Sequence, residues 1–313
     1  MEATQCAFRV YGYDGSSKVN IGESQRDKRV CRFCGRSMPD VKFKKVAHAL
    51  SESIGNKHII NNEECDSCNE NFSIIEQDFF NRHAAILSIC NIKGKNGARK
   101  VKTETVDLYD QHGILTLAPH NMSVSSIKYD SEGVGSLDFS LNMKYHPHKP
   151  QNVYKCLVKY ALSVMESDDV AYFGKAITWI AGNNISINRL PKVIYFGTKF
   201  HQHPRCSVFL RNERNDKFPF AFSIVEFANI GYCFMIPFGN DESITGYMEH
   251  NLIGAFLYLS NGAQFSLIDL STNNKITNRQ VFTLGNLKKD DAIILPNPIT
   301  PEIVQKLKDE GKI

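Results

Sequence analysis

With 313 residues, 42% of them hydrophobic, the chain can bury one large core or two ordinary ones and does not depend on staples as a miniature fold does. Its 37 Lys and Arg against 33 Asp and Glu leave a net charge of +4, which permits a nucleic-acid partner without arguing for one. No run approaches the ~18 consecutive apolar residues of a membrane span, and MEATQCAFRV lacks the basic-then-apolar pattern of a signal peptide, so the expectation is a cytoplasmic protein with no membrane partner.

Residues 1 to about 30 place apolar side chains around a Gly/Ser turn and then become polar, which suits a short hairpin or an arm. From residue 31 the cysteines dominate. Four of the nine fall in two Cys-x-x-Cys pairs, which in a reducing compartment reads as metal ligation, with Cys6, Cys90, Cys156, Cys206 and Cys233 as scattered thiols. After the second pair, Phe72, Ile75, Phe79, Ile86 and Leu87 recur without a proline, predicting helix in one or two pieces. The next stretch, NIKGKNGARKVKTET, carries Lys93, Lys95, Arg99, Lys100 and Lys102 and reads as a solvated linker or a basic loop beside a phosphate backbone.

The pattern then changes. GSLDFSLNMKYHP alternates apolar and polar residues at the period of a half-buried strand. VYKCLVKYALSVME puts Tyr154, Leu157, Val158, Ala161 and Met165 on one side and Lys155, Lys159, Ser163 and Glu166 on the other, an amphipathic helix. KVIYFGTKF, CSVFLRNE, FPFAFSIVEF, IGYCFMIPF, AFLYLS and QFSLIDLST supply strand candidates, so this part is expected to be α+β with a mostly antiparallel sheet. The histidines of Tyr145-His146-Pro147-His148 and of His201-Gln202-His203-Pro204-Arg205-Cys206 read as turns beside prolines, with a transition-metal site as the alternative for His201, His203 and Cys206. Residues 101–313 show no phosphate loop, nucleophile elbow or dinucleotide fingerprint.

Chemistry is concentrated earlier. Cys31-Arg-Phe-Cys34-Gly and Cys65-Asp-Ser-Cys68, with 30 residues between the pairs, offer four thiolates for a tetrahedral structural Zn²⁺. A site closed by four cysteines keeps no vacant position, so any catalysis must come from elsewhere. Between the pairs lie His48 and Asn62, and Asn69 follows the second pair directly.

This order of a cysteine pair, His48, Ile54-Gly55-Asn56, Asn62, a second pair and Asn69 resembles the HNH, or ββα-metal, endonucleases whose two Cys-x-x-Cys pairs bracket the catalytic hairpin. The resemblance covers roughly residues 31 to 80, with Asn62 and Asn69 fourteen and twenty-one residues after His48. It implies that His48 is the general base, that Asn62 braces the loop and orients the His48 ring, and that Asn69 gives a carbonyl oxygen to one Mg²⁺ or Mn²⁺. Many such proteins carry Asp or Glu just before the histidine, where this chain has Ala47. Glu76, seven residues beyond Asn69, is the first candidate for the missing carboxylate; two turns of unbroken helix would hold them about 10 Å apart. Asp78 and His83 are weaker candidates. Lys42, Lys44 and Lys45, on the strand-like VKFKKVAHAL, would hold flanking phosphates.

The expected organisation is therefore an HNH nuclease domain with an N-terminal arm over 1–95 and an α+β regulatory or target-recognition domain over 101–313. The expected activity is hydrolysis of DNA phosphodiester bonds in a prokaryotic restriction or anti-phage setting. The second domain would sense a modified base, an activating small molecule or another copy of the chain. The competing expectation is a non-catalytic zinc-finger module that binds nucleic acid or protein.

Overall fold

The computed structural model describes residues 8–94, 97, 100–102, 106–111, 114–119, 128–129, 134–142, 147–182, 189–212, 219–237, 249–260, 264–277 and 279–288. Their elements, in chain order, begin with strands β1 (Phe8–Asp14), β2 (Val19–Ile21) and β3 (Ile59–Asn61) and helix α1 (Asp66–Ile89). Strands β4 (Val101–Lys102), β5 (Val106–Gln111), β6 (Ile114–Pro119), β7 (Lys128–Tyr129) and β8 (Val134–Asn142) follow, then helices α2 (Pro150–Val164), α3 (Ser167–Val170) and α4 (Gly174–Ile180). The chain continues with β9 (Val193–Arg211), β10 (Ala221–Met235), α5 (Glu249–Ser260), β11 (Phe265–Ile268) and β12 (Arg279–Lys288).

The main sheet is antiparallel and organised by β9. Strand β10 runs along one edge of β9, while β1 and β11 pair with different stretches of it, Arg205–Arg211 and Val193–Phe196. The arm therefore forms no hairpin of its own. Its residues 8–14 join β9, and β2 instead pairs in parallel with β3. The sheet separates its residues by pleat: Val193, Cys206, Val208, Leu210 and Val225 face one core, while Ile194, Phe196, Phe222, Cys233 and Met235 face a second core covered by α5. The first core is continuous from Ile21 through α1 and α2 to Leu270.

Several elements differ from expectation for local reasons. KVIYFGTKF and CSVFLRNE are two ends of the single 19-residue β9, so His201 to Cys206 lie inside a strand rather than a turn. Pro204 is tolerated because it falls in the irregular stretch between the pairs Glu226/Arg205 and Ala228/His201. The two candidates FPFAFSIVEF and IGYCFMIPF are likewise one strand, β10, whose apparent break is a bulge with Ala228 at φ 51°. AFLYLS is helical: extended backwards, the segment buries Leu252, Ala255 and Phe256 at helical spacing. Strand β8 forms as expected and pairs with β7 and β12. Met143, Lys144, Tyr145, His146, Lys95 and Arg99 lie outside the described residues.

Helix α2 departs most from its pattern. It begins on Pro150, whose fixed φ suits a first helical turn, and is buried almost all round. Half of the expected polar face is covered, with Lys159 and Ser163 at 0% exposure, while Lys155 is half-buried and Glu166 exposed. What covers it is α1 and the loops around the cysteines. Among the described residues no helix is long and apolar enough to cross a membrane.

Candidate active site

The four thiols of Cys31, Cys34, Cys65 and Cys68 lie within 4.8 Å of one another, the arrangement of a zinc-binding cluster. Gly35, at φ 68°, makes the left-handed turn that lets its amide bond Cys31 O at 2.8 Å and aims the first pair of sulfurs inward. Cys65 caps α1, its Sγ accepting the Cys68 amide at 3.5 Å. Hydrogen bonding from Cys68 and from backbone amides brings Cys31 down to about 5, whereas burial and the neighbouring sulfurs raise Cys65 to about 11 and Cys68 higher still. One thiolate forms readily; several together require a cation to offset them, as the donor set of a Zn²⁺ site does.

From this clamp the chain runs through an extended loop, not a regular strand, into a short antiparallel bridge between His48 and Ile60. Asn61 donates to Ala47 O at 2.8 Å and Ala49 to Ile59 O at 3.0 Å, closing the bridge on either side of His48. The loop between is held by Asn56. Its buried amide donates to Leu50 O and Ile59 O at 2.7 and 2.9 Å and accepts from the His58 and Ile59 amides at 3.2 and 3.0 Å. Gly55, at φ 92°, passes so close to Gln202 O of β9 that a Cβ would sit 3.0 Å from it. With β3 leading to α1, the segment is a bridge, a strand and a helix hung from the cysteine cluster.

Of the two His48 nitrogens, Nδ1 is buried, and Nε2 stands 3.5 Å from Glu52 Oε1. His48, Glu52, Asn69 and Glu76 line one cavity of about 470 Å³. Helix α1 is a single unbroken helix, so Asn69 in its first turn and Glu76 two turns later share a face without converging on one point. Glu76 is also engaged: its Oε1 accepts from Lys159 Nζ at 3.1 Å.

Lys159 arrives from α2. Besides Glu76 it reaches His48 O at 3.0 Å and Glu64 Oε2 at 3.2 Å, with no exposure of its own side chain. Removing an ammonium from water costs several kcal/mol, and here two carboxylates and a carbonyl offset that cost; deleting one member of such a buried pair typically costs ~3–5 kcal/mol. The two carboxylates keep Lys159 charged, raising its pKa despite burial, while burial lifts Glu64 to about 7. α2 is gripped a second time by Arg32, between the first two cysteines, whose Nη1 donates to Leu162 O, Ser163 O and Met165 O at 3.0, 3.2 and 2.8 Å.

On the other side of His48 lies a second cavity of about 310 Å³, lined by Lys18, Arg26, Arg29, Lys44, Lys45 and Lys57 together with Asn62. The carboxylate of Asp66 fixes the loop that carries two of these, accepting from the Lys44 and Lys45 amides at 3.2 and 2.9 Å. Lys42 is exposed and gives only its carbonyl, to the Asp66 amide at 2.8 Å. Asn62 donates its backbone amide to Ile21 O at 2.9 Å, and the bracing of the loop is done by Asn56. Asp78 accepts from Asn152 at 2.6 Å, and buried His83 bonds Tyr232 Oη at 2.6 Å and is held neutral by burial, so both serve packing.

The residues that sequence reading gave no part in the site are Glu52, Lys159 and the cations Lys18, Arg26, Arg29 and Lys57, and Asn56 was quoted there without a role. Glu52, four residues after His48, was within reach of spacing arguments; Lys159 was not. No curated protein and no solved structure matches the chain. A family model does, and it is described as HNH endonuclease: residues 31–84, spanning the cysteine cluster, the His48 bridge and most of α1, carry that domain, and the region beyond is unrecognised.

Proposed function

We propose that the protein is a divalent-metal-dependent endonuclease that hydrolyses DNA phosphodiester bonds, with His48 as general base. The observation that carries this reading is that His48 and Asn69 line one cavity, and that His48 also lines a second cavity bordered by six cations. Imidazole suits the task because its ordinary pKa near 6.5 leaves it largely neutral at physiological pH. The burial of Nδ1 leaves Nε2 to take the proton from water, with the Glu52 carboxylate 3.5 Å away to favour the imidazolium that results.

Asn69 and Glu52 are the hard oxygen donors suited to hold Mg²⁺ or Mn²⁺, with Glu52 in place of the carboxylate absent at Ala47. Such an ion would supply charge neutralisation at the scissile phosphate and the leaving oxygen. Glu76, tied to Lys159 and two turns from Asn69, is read as a boundary of the cavity rather than a direct ligand. Lys44 and Lys45 hold flanking phosphates, joined by Lys18, Arg26, Arg29 and Lys57, and Lys42 stands at the margin of the same surface. Asn62 belongs to that phosphate side. We keep residues 1–95 as the cutting unit and 101–313 as the part that sets where or when cutting occurs, in keeping with a restriction or anti-phage role.

The test is plasmid nicking by the full-length protein with Mg²⁺ or Mn²⁺, beside His48→Ala. Loss of a general base should lower turnover by about 10²–10⁴-fold with DNA binding retained. Equal nicking by both proteins would remove His48 from the chemistry. Equal binding with no nicking by either, on plain and base-modified DNA alike, would favour the non-catalytic binding module.

A further inference from the structure

Lys159 lies 111 residues from His48 along the chain and outside the segment that matches the nuclease family, yet it bonds the His48 main chain. Its ammonium donates to His48 O at 3.0 Å and Glu76 Oε1 at 3.1 Å and pairs with Glu64 Oε2 at 3.2 Å. A counter-ion for the two carboxylates would not need the first of these. The direction of that carbonyl explains the contact. Because Asn61 bonds Ala47 O and Ala49 bonds Ile59 O, His48 and Ile60 form the non-hydrogen-bonded pair of the bridge, and the His48 carbonyl turns away from β3. The ladder thus holds the hairpin from one side and Lys159 from the other. The position of Lys159 is itself fixed, since Arg32 of the first cysteine knuckle binds the carbonyls at the end of α2, one turn further on.

We propose that Lys159 is a positioning residue for the catalytic histidine: by tying the His48 carbonyl to Glu64 and Glu76 it sets where the imidazole stands relative to Asn69, which makes α2 a part of the nuclease site. This rests on the nuclease reading given above. It assigns the region beyond residue 101 a direct hold on the cutting centre, through a side chain that touches neither substrate nor metal.

Lys159→Met alone strands two carboxylates and can fail to fold for that reason. The informative comparison is Lys159→Met/Glu64→Gln against Glu64→Gln, each in the full-length protein, because the pair removes the buried charge along with its partner. A displaced base should lower the nicking turnover of the double variant by about 100-fold, with half-saturating DNA changed by less than about two-fold. Hydrogen exchange at the Ala49 and Asn61 amides should rise about ten-fold while α1 stays protected. Turnover and exchange equal to those of Glu64→Gln would overturn the proposal and leave Lys159 a counter-ion. A wild type that nicks no DNA defeats the nuclease reading instead, and the exchange comparison then decides by itself whether Lys159 clamps the hairpin.

Discussion

The two cavities that flank His48 have opposite chemistry. One, of about 310 Å³, is ringed by Lys18, Arg26, Arg29, Lys44, Lys45 and Lys57; the other, of about 470 Å³, receives Glu52, Glu76 and the Asn69 amide. Among the described residues only Lys45, Val46 and His48 border both. The difference shows how a protein of net charge +4 can concentrate charge locally: the six cations come from loops around one cavity, which Glu64 also lines, and Glu52 and Glu76 come from the turn after His48 and from α1 around the other, which Lys45 also lines. A polyanion and a cation can then approach the same imidazole from different directions without competing for one set of side chains.

The heaviest blow to this arrangement is loss of the cysteine clamp, because both cavities are built on the segment it holds. Structural Zn²⁺ sites contribute on the order of 10 kcal/mol, so Cys65→Ser or prolonged chelation should abolish the cooperative thermal transition followed by circular dichroism. A chelated protein that still melts cooperatively and cuts DNA would show the cluster to be dispensable. A smaller effect is expected at Glu52. Glu52→Gln should raise the Mn²⁺ concentration needed for half-maximal nicking by about ten- to a hundred-fold, with DNA affinity unchanged. Unchanged metal demand in that variant would remove Glu52 from the cation side. The mildest changes belong to the basic cavity. Replacing Lys18, Arg26, Arg29 or Lys57 by Ala, one at a time, should weaken DNA binding and reduce the slope of log K against log salt by about 1 each. A variant among these that altered metal demand instead would blur the division between the two sides.

What the sequence disclosed follows from how near the interacting groups lie in the chain. The cysteine cluster was readable because knuckles are short-range objects with fixed spacing. Helix α1 was readable from its period. Lys159 was not, because periodicity sorts residues into faces without saying what covers each face, and a lysine on the polar side is ordinarily solvated. The same limit made α5 look like a strand when only AFLYLS was considered, and divided β9 and β10 at bulges that resemble turns. Glu52 escaped for another reason. The resemblance points to the position before the histidine, whereas the carboxylate beside His48 Nε2 stands four residues after it.

Strand β1 carries a consequence for how the molecule comes into being. Its seven pairings run from Phe8 with Arg211 to Asp14 with Arg205, so this strand waits for a partner made much later in the chain. An excised piece ending at residue 95 would bear that strand with its partner missing and the buried flank of α1, Phe79 included, open to water. In a cell making this protein, the core that packs against α1 therefore closes only after α2 and β9 have been synthesised.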